Sequence, residues 1–375
     1  MTSAAPGEPR AWGWVRHLRD GGTTPWADWS GTAEPAGPAV PGAQQLELLR
    51  RLNEAGPPGP ALVDRVLSAS APGRGQPDLE LVGAAHESPF GPRPVDPSDL
   101  PVRELLRVAT ALIAEDLVAA GSPPVPRPGL VRPWRTRYRL VGDPELADPV
   151  RAALVQRGRP PGGRAPRILV VGASVDRMLA DAWTRRAFDF GAPGWRTWLD
   201  QVARHDRLPG RIDVLAQARS WSARVGRSRV QVVLDPAALP GLLGVRRVPV
   251  VRPPAAQVPD LARRVAPVLG LHVPGHERTA LLRRRLRPQL EGTPGEPLVL
   301  PEEHHPWARA QAQRVADELR RAGYAVHGDP HALLPADRTG VRVPDGAATL
   351  RLAMAQVLAG ATGPGPRGTT DEEAA

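Results

Sequence analysis

The sequence of 375 residues contains no cysteine and no lysine, so arginine supplies all 49 of its basic side chains. Without cysteine there is no thiol nucleophile, no thiolate-bound metal and no disulfide. Without lysine there is no amine for a Schiff base and no lysine for a phosphate-binding loop of the Walker type. These absences exclude several large classes of enzyme, and they agree with a reducing compartment.

Long apolar segments are absent as well. No stretch of the sequence approaches the roughly 20 apolar residues that a transmembrane helix requires. Residues 1–16 lack the basic, apolar and small-residue order of a signal peptide. We therefore expect a soluble, cytoplasmic protein without a membrane partner.

The charge is unevenly distributed along the chain. Residues 1–130 hold 11 arginines against 15 acidic residues, residues 131–336 hold 34 against 19, and residues 337–375 hold 4 against 5. The net charges of −4, +15 and −1 add to the +10 of the whole chain. A basic central segment indicates an anionic ligand or polymer. A solvated surface partly neutralised by the acidic N-terminal region is an equally good interpretation.

The first 130 residues have the pattern of a helical, tryptophan-rich region. Apolar residues recur at helical spacing over 42–55 and 98–120, and a shorter helix is expected over 60–70. The first 40 residues lack such a period, and we interpret them as a loop-like arm packed through its four tryptophans, with Gly21–Thr24 as a turn. The Gly/Pro-rich stretch 121–129 marks the domain boundary.

Strands alternate with helices after this boundary. The predicted strands cover 137–141, 167–171, 229–234 and 324–327, and helices are expected over 174–190, 195–204, 211–225, 258–269, 276–290 and 306–322. The pattern predicts an α/β domain over 131–336 with a doubly wound parallel sheet. A last helix over 346–359 and a disordered tail complete the third segment, 337–375.

Three stretches of this domain carry a family resemblance. The first is Ile168–Trp183. The second runs from Trp195 to Pro236 and includes Trp221 and the predicted strand 229–234. The third is Pro301–Trp307 together with 323–335. In order and spacing they resemble bacterial sulfotransferase-like proteins with a P-loop-type α/β fold, over about residues 137–335. The resemblance implies adenosine 3′-phosphate 5′-phosphosulfate as the candidate cofactor. It also implies a ligand site after the first two strands, at Gly142, Asp143, Ser174, Asp176 and Arg177. Asp176 and Arg177 are explained equally well as residues of the first helical turn that interact with the helix dipole.

The sequence departs from the family where the sulfate donor binds. The family's lysine-containing phosphate loop is shortened here to Gly142-Asp143-Pro144. Asp143 takes the place of a bound anion, and Pro144 removes a backbone donor. An arginine of the family aligns near Gly172 or Ala173, and a serine aligns near Asp181. We therefore expect a member that has lost the usual donor site.

Two histidine-containing stretches are candidates for catalysis. His304 stands in Glu302-Glu303-His304-His305, where it is either an acid–base or metal group or part of a helix entry before Pro306; the helix entry is favoured. Asp329 and His331 follow the last strand, where a general base is possible, although a turn in which Asp329 accepts backbone hydrogen bonds is favoured. No zinc-binding spacing is present.

These observations lead to one main hypothesis and two alternatives. The main hypothesis is a divergent sulfotransferase-like protein without standard transferase activity, which binds an anionic nucleotide, glycan or protein partner. The first alternative is an active transferase that uses Arg137, Arg139 or Arg177 instead of lysine, because arginine also binds phosphate. The second is nucleic-acid binding; the basic cluster Arg283–Arg285 with Arg287 either contacts the phosphate or sulfate groups of a polymer or is a solvated face. We rank it last because no basic strand is interleaved with aromatic residues.

Overall fold

The computed structural model describes residues 7–37, 39–69, 78–84, 94–124, 137–163 and 165–361. The chain divides by its contacts into two units. The first comprises residues 1–121, 267–273 and 346–375, and the second comprises residues 122–266 and 274–345. Most of the predicted boundary stretch and the predicted tail after residue 361 lie outside the described residues. In the described part of the chain, no helix has the length and apolar character needed to span a membrane.

The protein is a mixed α/β structure that is mostly helical. Its helices are α1 (Glu8–Arg19), α2 (Ala43–Ala55), α3 (Pro60–Ser68), α4 (Val102–Ala120), α5 (Pro144–Gln156), α6 (Val175–Asp189), α7 (Trp195–Arg204), α8 (Val214–Val225), α9 (Leu239–Leu243), α10 (Gln257–His272), α11 (Gly275–Leu281), α12 (Arg287–Gln289), α13 (His305–Ala322) and α14 (Gly346–Ala361). Its strands are β1 (Tyr138–Gly142), β2 (Arg167–Val171), β3 (Val230–Val233) and β4 (Ala325–His327).

The first unit is helical, and its beginning differs from the sequence-based expectation. The prediction of a loop-like arm was wrong, because residues 8–19 form helix α1, with Pro9 in its first turn and arginines in its last turn. Trp12, Trp14 and Trp26 are buried, so the tryptophans do pack this segment as expected. Helix α4 begins at Val102 rather than at 98, since Pro97 and Pro101 interrupt the backbone hydrogen bonds before it.

The second unit is built on a four-stranded parallel sheet. The strands pair in the order β1-β2-β3-β4, with Val141 opposite Val170 and Val232 opposite Val326. This confirms a mixed α/β fold with a parallel sheet. Because β2 is central and apolar on both faces, it is buried along most of its length, as its sequence predicted.

Helices cover both faces of this sheet. Tyr138 and Leu140 of β1, with Leu169 and Val171 of β2, point to the face covered by α5 and α9. Ile168 and Val170 alternate with them and point to the opposite face, which α6, α7, α8 and α13 cover. The tryptophans Trp183, Trp195 and Trp198 stack within this second layer, with ring centroids 5.6 Å apart in each neighbouring pair.

Two of the predicted helices have different bounds. The helix expected over 211–225 begins at Val214, because the Asp213 side chain accepts the Ala216 backbone N–H and so fixes the helix start there. The helix expected over 276–290 is not a uniform α-helix, since residues 282–286 widen into a π-helical turn. Pro288 has no N–H to give to the Arg284 carbonyl, which accounts for this widening.

Candidate functional site

The candidate site lies at the carboxyl ends of β1 and β2. After Gly142 the chain turns into α5 on one face of the sheet, and after Val171 it passes through residues 172–174 into α6 on the other face. Two neighbouring strands whose connections leave toward opposite faces open a crevice between them, and open α/β sheets bind their ligands in such crevices. Gly142 makes the first turn possible with a φ of +102°.

Asp143 is buried in this crevice. One of its carboxyl oxygens, Oδ1, accepts the backbone N–H groups of Glu145 at 2.9 Å and Leu146 at 3.4 Å, and so caps α5. Its Oδ2 is also buried and receives no hydrogen bond from a described residue. The amide groups that a phosphate would use at this helix start are therefore taken by a carboxyl group of the protein itself.

Asp181 on α6 is the acidic neighbour that most affects Asp143. Burial raises the pKa of Asp143 well above its usual range, and the charge of Asp181 raises it further. Burial likewise raises the pKa of Asp181 to about 6, although the Arg177 guanidinium, whose Nε lies 3.0 Å from Oδ2 of Asp181, opposes the rise. Burial therefore favours the neutral form of Asp143, the carboxyl group whose pKa is raised further.

A second buried acid near the same helix start is neutralised directly. Glu145 is paired with Arg287, whose Nη1 lies 3.1 Å from its Oε1. Two arginines, Arg177 and Arg287, thus balance Asp181 and Glu145, while the raised pKa of Asp143 favours its uncharged form. The floor of the crevice is closer to neutral than its acidic sequence indicates.

A cavity of about 340 Å³ opens beside this floor. Gly142 and Pro144 form its edge at the end of β1, and its charged lining consists of three arginines and one acid: Arg151, Arg185, Arg211 and Asp148. Asp148 pairs with both Arg151 and Arg185. Arg211 is exposed and forms no ion pair with a described residue. The lining therefore carries an excess of two positive charges.

The positive potential extends behind the cavity wall. Asp189 pairs with Arg185 at 3.3 Å and also with Arg283. Burial and the neighbouring charge of Arg185 lower the pKa of Arg283 to about 10. Burial is the larger cause of this fall, because it removes water from the charged guanidinium. Guanidinium groups with little water around them bind a phosphate, a sulfate or a carboxylate through charge-assisted hydrogen bonds.

The structure separates the five predicted ligand-binding residues. Gly142 lines the cavity, whereas Asp143 lies in the floor and Arg177 is bound to Asp181. Ser174 and Asp176 are buried and bind Arg338: the guanidinium donates to Oγ of Ser174 at 2.9 Å and lies 3.4 Å from the carboxylate of Asp176. The residues after β2 are thus engaged by an arginine of the protein.

The predicted catalytic residues lie apart from the cavity. The ring of His304 is buried and hydrogen-bonded to Asp200 at 3.0 Å, and α13 begins at the next residue with Pro306 in its first turn. Asp329 accepts the backbone N–H of His331 at 2.9 Å, so this stretch forms a turn in which both side chains are exposed. Within the described residues, no group of His, Asp and Glu could hold a metal ion.

Sequence reasoning missed the arginines of the cavity. Arg151, Arg185 and Arg211 lie on α5, on α6 and in the turn before α8, so no spacing in the sequence connects them. Of the predicted basic cluster, Arg283 is paired with Asp189 and Arg287 is paired with Glu145. The one available signal was Asp148, three residues before Arg151 on the same helix face.

A larger cavity, of about 720 Å³, lies within the first unit. Its lining is mostly apolar and includes four charged residues, Arg16, Arg19, Glu34 and Asp64. Arg19 and Asp64 pair at 2.9 Å, and the four charges cancel. This cavity is larger than the first, but it lacks converging charges and buried titratable groups, which are the usual marks of a functional site.

Comparison with known proteins assigns the chain to no family. No protein-family model, no curated protein and no solved structure matches it.

Proposed function

We propose that the second unit is a divergent sulfotransferase-like domain that binds an anionic ligand in the arginine-lined cavity, without standard transferase activity. One observation carries the proposal: three arginines and a single acid line a cavity at the end of β1. Guanidinium groups bind phosphate and sulfate through paired, charge-assisted hydrogen bonds. A volume of about 340 Å³ lies in the range of small-ligand sites, which favours an anionic nucleotide or the end of a glycan over a protein partner.

The lack of transferase activity is proposed from the floor of the crevice. Asp143 occupies the amide groups at the start of α5, and Arg177 is engaged by Asp181. Neither Asp143 nor Arg177 is therefore placed to hold a transferring phosphosulfate. We keep an active transferase that uses arginine in place of lysine as the second candidate, because the cavity adjoins the shortened loop where the resemblance places the sulfate donor.

Calorimetric and thermal-shift titrations test the proposal. The probes are adenosine 3′,5′-bisphosphate, its phosphosulfate parent and inorganic sulfate. A ligand at about 100 times its Kd adds about 2.7 kcal/mol of stability, which raises the Tm by a few degrees. We expect a saturable shift with at least one probe, and a negligible rate of sulfate transfer to phenolic acceptors.

Two arginine variants form the matched pair for this experiment. Arg211→Ala removes an exposed cavity arginine that has no ion pair with a described residue, so the fold should be retained. A hydrogen bond to a charged group contributes about 1.5–3 kcal/mol, so the Kd should rise roughly 10- to 100-fold. Arg247→Ala removes an exposed arginine outside the cavity lining and should leave the Kd unchanged. Equal affinity of both variants, or no saturable binding of any probe, would contradict the proposal.

A further inference from the structure

The two edges of the parallel sheet differ sharply in charge. Four segments lead into the strands at the amino edge: 137–139, 157–163 with 165–167, 224–229 and 320–325. These described residues contain ten arginines and no acidic residue. At the carboxyl edge, the segments 142–145, 172–177, 234–236 and 327–331 contain five acidic residues and a single arginine.

Ordinary structural effects account for only part of this difference. Helices α5, α8 and α13 end at the amino edge, and helix carboxyl ends favour cations. However, Arg137, Arg139 and Arg167 stand at strand starts, where no helix dipole acts. An abundance of arginine codons would raise the number of arginines, but it would not remove acids from four separate segments.

The amino-edge arginines are also less paired than those around the cavity. Eight of them form no ion pair with a described residue and are exposed: Arg137, Arg139, Arg157, Arg167, Arg224, Arg227, Arg229 and Arg321. A row of exposed, unneutralised guanidinium groups repels itself, and a bound polyanion relieves that repulsion.

Aromatic side chains lie among these arginines. The guanidinium groups of Arg139 and Arg224 lie 5.6 and 5.2 Å from the centre of the Trp221 ring, which is partly exposed. Arg227 lies 5.2 Å from the centre of the Tyr324 ring, and the Ser222 hydroxyl donates to the Tyr324 hydroxyl at 3.3 Å. Both guanidinium planes and aromatic rings stack on nucleobases.

From this arrangement we infer that the amino edge of the sheet, with Trp221 and Tyr324, is a binding surface for single-stranded nucleic acid. The arginines contact the phosphates, and the arginine–aromatic stacks contact the bases. The aromatic groups favour a nucleic acid over a sulfated glycan, which has no planar base to stack. This surface is formed by residues other than those of the cavity, so it does not rest on the function proposed above.

Fluorescence anisotropy with the full chain and a labelled 20-nucleotide oligo(dT) tests the inference. Each phosphate contact contributes about −0.7 to the slope of log K against log salt, so four contacts give a slope near −3. An abasic deoxyribose-phosphate chain of the same length carries the same charge without bases. We expect it to bind at least 10-fold more weakly, since stacking contributes about 1–3 kcal/mol per base.

Matched double variants identify the surface. Arg227→Ala/Arg229→Ala should weaken oligo(dT) binding at least 10-fold and reduce the slope by about 1.4. Arg207→Ala/Arg309→Ala removes two exposed arginines outside the amino-edge segments and should change Kd less than twofold, as should Arg211→Ala in the cavity. Melting curves check that each variant folds. Equal binding of the abasic chain, or equal effects of the two double variants, would overturn the inference.

Discussion

Replacing Asp143 by asparagine is expected to stabilise the protein at pH 8 and to stabilise it less near pH 4.5. The asparagine Oδ1 can accept the Glu145 backbone N–H as the aspartate does, so the cap of α5 is retained. The asparagine side chain is uncharged, as the carboxyl group of Asp143 is when it holds a proton. The variant therefore reproduces the protonated form of Asp143 at every pH.

The sign follows from the raised pKa values. Both carboxyl groups have a higher pKa in the folded protein than the 3.8 of an exposed aspartate. The folded state thus holds protons that the unfolded state releases, and the wild-type protein loses stability as the pH rises above about 4. For Asp181, the difference between 3.8 and about 6 corresponds to about 3 kcal/mol above pH 6. The Asp143→Asn variant should recover about 1–3 kcal/mol of this at pH 8.

Thermal unfolding of both proteins at pH 4.5 and pH 8 measures the effect. A gain of 1–3 kcal/mol corresponds to a rise in Tm of roughly 2–8 °C for a chain of this size. Asp235→Asn is the matched control, because Asp235 caps the turn after β3 from an exposed position. That variant should differ from wild type by less than about 0.5 kcal/mol at both pH values. If Asp143→Asn is no more stable than wild type at pH 8, burial does not raise the pKa of Asp143 well above its usual range.

Three further predictions concern the same region. Gly142→Ala should lower the free energy of unfolding in urea by more than about 2 kcal/mol, because φ is +102° and the new Cβ would lie 2.1 Å from the Val171 carbonyl oxygen. The control is Gly210→Ala, where a Cβ would meet no atom within 4 Å, and it should change the free energy of unfolding by less than about 1 kcal/mol. Glu145→Ala should cost about 2–4 kcal/mol because it leaves Arg287 unpaired, whereas the exposed Glu291→Ala should cost under about 0.5 kcal/mol. In a titration with sulfate, Arg211→Ala should bind at least 10-fold more weakly than Arg247→Ala.

The sheet could be predicted from the sequence because its strands have a strong local pattern. Ile168–Val171 is continuously apolar, and turn residues follow each of the predicted strands at Gly142, Gly172, Asp235 and Gly328. The use of Asp143 at the end of the first strand was also visible, since an Asp-Pro pair commonly starts a helix. These features depend on neighbouring residues in the chain, which is why the sequence alone reveals them.

Helix α1 was not predicted because the sequence of this segment shows no clear helical spacing of its apolar residues. Gly13 and the closely spaced Trp12 and Trp14 have low or moderate helix propensity, and buried packing decides the conformation instead. Gly13 is retained because a Cβ there would lie 2.7 Å from the Gly31 carbonyl oxygen. Close packing of this kind depends on residues distant in the sequence, which no local pattern contains.

The cavity could not be predicted for a related reason. Its arginines come from three elements, and the choice of Arg185 and Arg211 over the many other arginines of the chain is made by the packing of α5, α6 and α8 at the end of β1. The raised pKa values of Asp143 and Asp181 are similarly a result of burial. The sequence showed two acids near a phosphate site, but it could not show that both are buried and that burial favours the neutral form of Asp143.

In this chain the positions of the acidic residues say more about a binding surface than the number of arginines does. Every basic side chain is arginine, so an arginine at any one position carries little information. Acidic residues are spread through the rest of the second unit, yet they are missing from all four segments at the amino edge and frequent at the carboxyl edge. A solvated surface would tolerate acids in either place. The inference that a polyanion binds at the amino edge accounts for this placement, since each acid there would weaken that binding.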